Sequence, residues 1–81
     1  MAKTEVKHGK IETSFRMQIK GYLEVKNKSV DDMIKEIRER TGAKITAATV
    51  YNWFKEKSSI KTGNLELLIE QAQHDGVEIT M

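Results

Sequence analysis

Apolar residues recur along this chain at helical spacing in four separate stretches, each bounded by cap-forming residues or a glycine. The first thirteen residues, MAKTEVKHGKIET, show no such period and read as a polar, basic arm with a short extended stretch at most, around Val6 or Ile11. Thr13 or Ser14 then suits a helix N-cap, and Phe15, Ile19, Tyr22 and Leu23 share one face of a helix running to about Val25. Gly21 weakens that helix by about 1 kcal/mol relative to alanine without breaking it. Asn27 and Lys28 make a short stop.

Ser29 is placed as the next N-cap, with Asp31 and Asp32 in the first turn, where the helix dipole favours negative charge. Val30, Met33, Ile34 and Ile37 form one apolar stripe, and Arg38, Glu39 and Arg40 carry the helix on until Gly42 ends it in a left-handed conformation. Ile45 anchors the turn. A third helix spans residues 46–57, with Val50, Trp53 and Phe54 inward and Ala47, Ala48, Tyr51, Asn52 and Lys55 on its other sides. Ser58 and Ser59 close it. Thr62 or Asn64 caps a fourth helix whose stripe is Leu65, Leu68, Ile69 and Ala72, and Gly76 ends it. Residues 77–81 alternate apolar and polar side chains, which suits a short strand. Four to five short helices with one-sided stripes can bury them only against each other, so the pattern predicts an all-α, compact orthogonal bundle.

Composition narrows the chemistry. At 81 residues the chain is one domain, and 38% hydrophobic with 32% charged residues suits a folded helical protein. There are no cysteines, which removes disulfides and thiolate metal sites. His8 and His74 stand apart among charged neighbours, so a metal site is not expected, and His74 reads as a favourable cation near a helix C-terminus. No nucleophile–base pair or acid dyad is evident, no cofactor or small-molecule ligand is implied, and the chain is not expected to be an enzyme. No apolar run reaches bilayer length, and the N-terminus lacks a signal peptide's apolar core, so a cytoplasmic protein without a membrane partner is expected. Net charge is only +2, but it is segregated: +4 over residues 1–28, neutral over 29–45, +2 over 46–63 and −4 over 64–81. One end can face an anionic polymer while the other is turned away.

The informative stretch is SVDDMIKEIRERTGAKITAATVYNWF, residues 29–54: two amphipathic helices around a glycine-containing turn. A helix that enters a DNA major groove needs bulky inward residues to lock it in place, here Val50 and Trp53. It also needs small or hydrogen-bonding outward residues near its start. Ala47 and Ala48 can meet thymine methyls, Asn52 has the amide geometry for adenine, and Tyr51 reaches a base or a phosphate. Thr46 and Thr49 suit a helix start near the DNA backbone, and Lys44, Lys55, Lys57 and Lys61 would neutralise phosphates without reading sequence.

These residues carry a resemblance. ATVYNWF after an Ile-Thr start, in the frame MQIKGYLEVKNKSVDDMIKEI … ITAATVYNWFKE … NLELLIEQAQHDGVEI, resembles the lambda-repressor-like (Cro and XRE) helix-turn-helix domains of phages and bacteria. The resemblance covers about residues 14–79 and divides the chain into a basic flexible arm, residues 1–13, and a helix-turn-helix domain, residues 14–81. It implies a sequence-specific regulator of transcription, a phage or mobile-element repressor, that occupies a double-stranded operator as a homodimer and is nucleoid-associated when bound. It puts Ala47, Ala48 and Asn52 on base-contacting positions and Ser29 on a phosphate-contacting one, with backbone contacts around Lys61 to Asn64. The C-terminal strand, residues 77–80, would be a dimerisation device, and Lys3, Lys7 and Lys10 would wrap the duplex. The chain departs from the family in its turn: Ile45 follows Ile37 by eight positions, and RERTGAKITAATV is also similar to the longer-turn motif of some transposase and homeodomain-like domains. The competing expectation is a small antitoxin-like or inhibitory protein-interaction module, docking through Glu66, Glu70, Asp75 and Glu78.

Overall fold

The computed structural model describes the backbone of residues 2–80 and the side chains of residues 13–80. It is all-helical: α1 (Ala2–Val25), α2 (Val30–Thr41), α3 (Ala47–Phe54) and α4 (Thr62–His74), with no strand among the described residues. Helix α2 packs on both α3 and α4, and α1 packs on α4. Among the described residues no helix is long and apolar enough to cross a membrane.

The chain has no proline, so its reversals are made by single residues in left-handed backbone conformation, one after each helix: Asn27, Gly42, Glu56 and Gly76. After α1, the Lys28 amide donates to the Leu23 carbonyl and the Asn27 amide to that of Glu24, which satisfies two of the helix's otherwise free carbonyls. The same pair of bonds closes α3 (Lys57 to Asn52, Glu56 to Trp53) and α4 (Val77 to Ala72, Gly76 to Gln73). Gly42 ends α2 with φ 75° and one bond to the Arg38 carbonyl. Glu56 is the costly member, since a Cβ in that region is disfavoured by about 1–2 kcal/mol. Its carboxylate lies 3.6 Å from the buried Arg16 guanidinium, which also donates to Thr13.

Phe15, Ile19, Tyr22 and Leu23 from α1, the α2 stripe Val30, Met33, Ile34 and Ile37, then Ile45, Val50, Trp53, Leu68 and Ala72 form one core, as the pattern predicted. Ile60, in the α3–α4 connection, joins it. Leu65 and Ile69, expected on the buried stripe of α4, are only half-buried. Gln71 takes the deeper position and is 1% exposed.

Gln71 is buried because it belongs to a polar network that joins three parts of the chain. The Lys28 ammonium donates to Asp75 at 2.6 Å, to Glu36 at 2.7 Å and to the Tyr22 hydroxyl at 3.3 Å. The Tyr22 hydroxyl donates in turn to Asp75. Gln71 Nε2 donates to Glu36 at 3.2 Å, while its Oε1 accepts from Arg40 Nε at 2.9 Å. The hydrogen bonds from Lys28 and then Tyr22 hold Asp75 at a pKa of about 2 against an ordinary 3.8. Burial, and then the hydrogen bond to Asp75, push Tyr22 up to about 12. Burial works against the charge on Lys28, but its bonds to Asp75, Glu36 and Tyr22 outweigh that and raise it.

Four boundaries differ from the sequence expectation. Helix α1 begins at Ala2, so Thr13 and Ser14 lie inside it and the backbone of residues 2–13 is helical where a flexible, non-helical arm was expected. Nothing upstream breaks the helix: that stretch holds one glycine, Gly9, and no proline, and a cap-type residue starts a helix only where one is not already running. The side chains of Lys3, Lys7 and Lys10 lie outside the described residues. Helix α3 stops at Phe54 and not at Lys57, because the left-handed Glu56 reverses the chain. Helix α4 is entered from Lys61, with Thr62 and Asn64 already in its first turn. Residues 77–80 form no strand: among the described residues no other segment bonds its backbone to theirs beyond the Val77 amide that closes α4. Their alternation is used all the same: Ile79 is buried and Val77 half-buried on the core. The Gln18 carboxamide stands in for a neighbouring strand, Nε2 donating to the Thr80 carbonyl at 2.6 Å and Oε1 accepting from the Thr80 amide at 2.7 Å.

Two measurements follow. A folded-state pKa below the unfolded one stabilises above the unfolded value and is lost on acidification. Asp75 therefore contributes full stability above about pH 4, lost as pH falls towards 2. Tyr22, raised in the fold, contributes below about pH 10 and loses that contribution towards 12. Asp75→Asn should cost about 1–3 kcal/mol at neutral pH and flatten the acid limb, read from thermal melts across the pH range. The two glycines should respond with opposite signs in denaturant titrations. A Cβ meets nothing within 4 Å at either Gly21 or Gly42, so backbone conformation alone decides. Gly21→Ala, inside a helix, should gain about 1 kcal/mol, and Gly42→Ala should lose about 1 kcal/mol.

Candidate nucleic-acid interface

The turn before α3, residues 42–46, is held at both ends. Gly42 closes α2, Ile45 is buried beneath the turn, and Thr46 is the N-cap of α3 in an extended conformation. Thr46 Oγ1 accepts from the Thr49 amide at 3.4 Å and lies 3.1 Å from Thr49 Oγ1, so the two hydroxyls face each other across the first turn. Ala47–Phe54 then makes little more than two turns, too short to be stable alone, and its position depends on what it buries. Val50 and Trp53 are 0% exposed. Among the described residues the Trp53 indole N–H has no acceptor, so the ring is held by packing alone. Phe54, half-buried, lies 5.8 Å from the Trp53 ring, and the Lys20 ammonium of α1 sits 5.3 Å from the Phe54 ring centroid.

What α3 leaves open is one sector. At 100° per residue, Ala48, Tyr51, Asn52 and Lys55 fall within about 100° of the circumference, opposite Val50 and Trp53. All four are exposed, Tyr51 at 40%. Ala47 stands apart from them: it is half-buried, packs against the core, and lines a groove of about 440 Å³ between α2 and the start of α3. The other lining residues are Asp31, Ile34, Lys35, Arg38, Glu39 and Thr46.

The residues expected to hold phosphate are distributed unevenly. Lys44 and Thr46 are exposed before α3, Thr49 is half-buried on it, Lys55 caps its end, and Lys57 follows the reversal at Glu56. Lys61 is the exposed N-cap residue of α4, and Asn64 is half-buried in its first turn. Neither α3 nor α4 carries an acid in its first turn, and α4 has no side-chain cap, so both N-termini suit an anion. Ser29 is different. Its hydroxyl accepts from the Asp32 amide at 3.0 Å, and Asp31 and Asp32 already supply negative charge at that helix start. A phosphate there would meet two carboxylates. Lys20 is a cation that sequence reading overlooked, because nothing in its local pattern brings α1 to the end of α3.

No protein-family model, no curated protein and no solved structure matches this chain.

The division of α3 into a held face and an open face has a direct test in stability. Trp53→Ala should cost about 3–5 kcal/mol, while Asn52→Ala, on the open sector, should stay within about 0.5 kcal/mol of the parent. Urea denaturation of both variants measures the contrast.

Proposed function

We propose that this chain is a sequence-specific double-stranded DNA-binding regulator of transcription, Cro- or repressor-like and of phage or mobile-element character, that reads the major groove with α3. The observation that carries this reading is the open sector of α3. A helix locked by Val50 and Trp53 offers the small Ala48, the amide of Asn52 and the ring of Tyr51 side by side, behind an acid-free, threonine-capped start. A small residue lets the helix approach base edges, and an asparagine amide matches the adenine edge in the major groove. Ala47, being half-buried, contributes to close approach more than to base contact. Lys44, Lys55, Lys57 and Lys61 neutralise phosphates on either side, and Thr46 and Thr49 meet the backbone at the helix start. In this reading the protein works in the cytoplasm and binds its operator as a homodimer.

The alternative, a protein-interaction module, has one supporting feature: Glu66, Glu70 and Glu78 are exposed in a segment, residues 64–81, with no lysine or arginine. Asp75, which would have joined them, is instead turned into the Lys28 network.

Binding measured against duplexes of different sequence separates base reading from phosphate neutralisation. Asn52→Ala should lose about 1–3 kcal/mol of discrimination at an adenine position. Lys55→Ala should weaken all duplexes about equally and reduce the salt slope by about 1. If both variants bind every duplex as the parent does, the base-reading assignment fails.

A further inference from the structure

The groove between α2 and the start of α3 lies next to the proposed reading sector but is built from a different helix. Asp31, Lys35, Arg38 and Glu39 stand on one face of α2, at i, i+4, i+7 and i+8, with the Ile34 side chain and the Ala47 methyl as a short apolar floor. The groove is open along its length and suits the edge of a polymer better than an enclosed small molecule. Its two cations sit in the middle of the row and its two carboxylates at the ends, so an anion is drawn to the centre and repelled from either side. Both cations are exposed, and among the described residues neither has a carboxylate within ion-pair distance. Glu36, the carboxylate next to Lys35 in sequence, is paired with Lys28 and leaves Asp31 and Glu39 as the acids that line the groove. At the far wall Thr46 presents a hydroxyl at the acid-free start of α3.

We propose that Lys35 and Arg38 clamp one backbone phosphate of the duplex in this groove, and so set how deeply and in what register α3 enters the major groove. The inference rests on the DNA-reading function proposed above and adds to it a phosphate site on α2. It also moves the α2 contact away from Ser29, whose end of the helix is acidic, to the middle of the helix.

The test is a salt titration of the full chain binding a labelled, mixed-sequence duplex from low salt upward. Lys35→Ala/Arg38→Ala should bind about tenfold more weakly at low salt, with a salt slope shallower by about 0.9, the value of one phosphate contact. Arg38→Lys should keep the slope, and Lys26→Ala, which removes one exposed cation at the end of α1, should change neither quantity. Thermal melts of all variants should match the parent, since each side chain is exposed. If the double variant keeps the parent slope while Lys55→Ala lowers it, the groove site is wrong and the DNA reading stands. If Lys26→Ala loses half as much as the double variant, so that each removed cation costs the same wherever it stands, only net charge matters, which also overturns the site. If the parent protein binds no duplex at low salt, the site and the DNA reading fall together.

Discussion

One ammonium group ties the bundle together. Lys28 sits in the short turn between α1 and α2 and is largely withdrawn from water, with a side chain only 15% exposed. A charge in that position is tolerated only when it is fully partnered. Its partners come from three places: the Tyr22 hydroxyl on α1, the Glu36 carboxylate on α2 and the Asp75 carboxylate just past α4. Moving any of these elements leaves a buried donor or acceptor unmet, at a cost of roughly 1–3 kcal/mol per group. Apolar contacts make the chain compact, but they are non-directional. The Lys28 cluster, with Gln71 bridging Glu36 and Arg40, specifies how α4 sits against α1 and α2.

The short third helix inherits its position from that frame. It buries Val50 and Trp53 against a core built from α1, α2, α4 and the connecting and C-terminal residues Ile45, Ile60 and Ile79, and it is entered through a turn fixed by Gly42 and Ile45. The reversal after it requires Glu56 in a left-handed conformation, a strained choice that the buried Arg16 accompanies from α1. What remains open is a sector of four side chains and the groove beside it. The function proposed for this protein is a property of that remainder.

The sequence was most legible where a residue type answers to one physical demand. Ser29 as a cap, Gly42 and Gly76 as left-handed terminators, and the stripes Val30–Met33–Ile34–Ile37 and Val50–Trp53 all stand where their spacing put them. The exposure of the candidate residues Ala48, Tyr51 and Asn52 on α3 was legible in the same way, by subtraction from the buried face, whereas Ala47 and Thr49 are half-buried. Features that depend on distant partners were not legible. Arg16 and Gln71 are polar by type and buried by context, because their partners lie 40 and 35 positions away in Glu56 and Glu36. The last residues alternate like a strand, yet their partner is the single side chain of Gln18, 62 positions distant. The extra length of α1 was missed for a local reason, since Thr13 and Ser14 have the chemistry of a helix start without the break that would make one.

The open sector of α3 is proposed to read base sequence. Selection of bound duplexes from a random pool by the purified chain, followed by sequencing, tests it most directly. If α3 reads base sequence, one short motif that contains an adenine position should be enriched, and its binding should be lost on raising the salt concentration. A pool that is retained at low salt but stays random in sequence would contradict that reading, leaving only charge-driven binding of a basic surface.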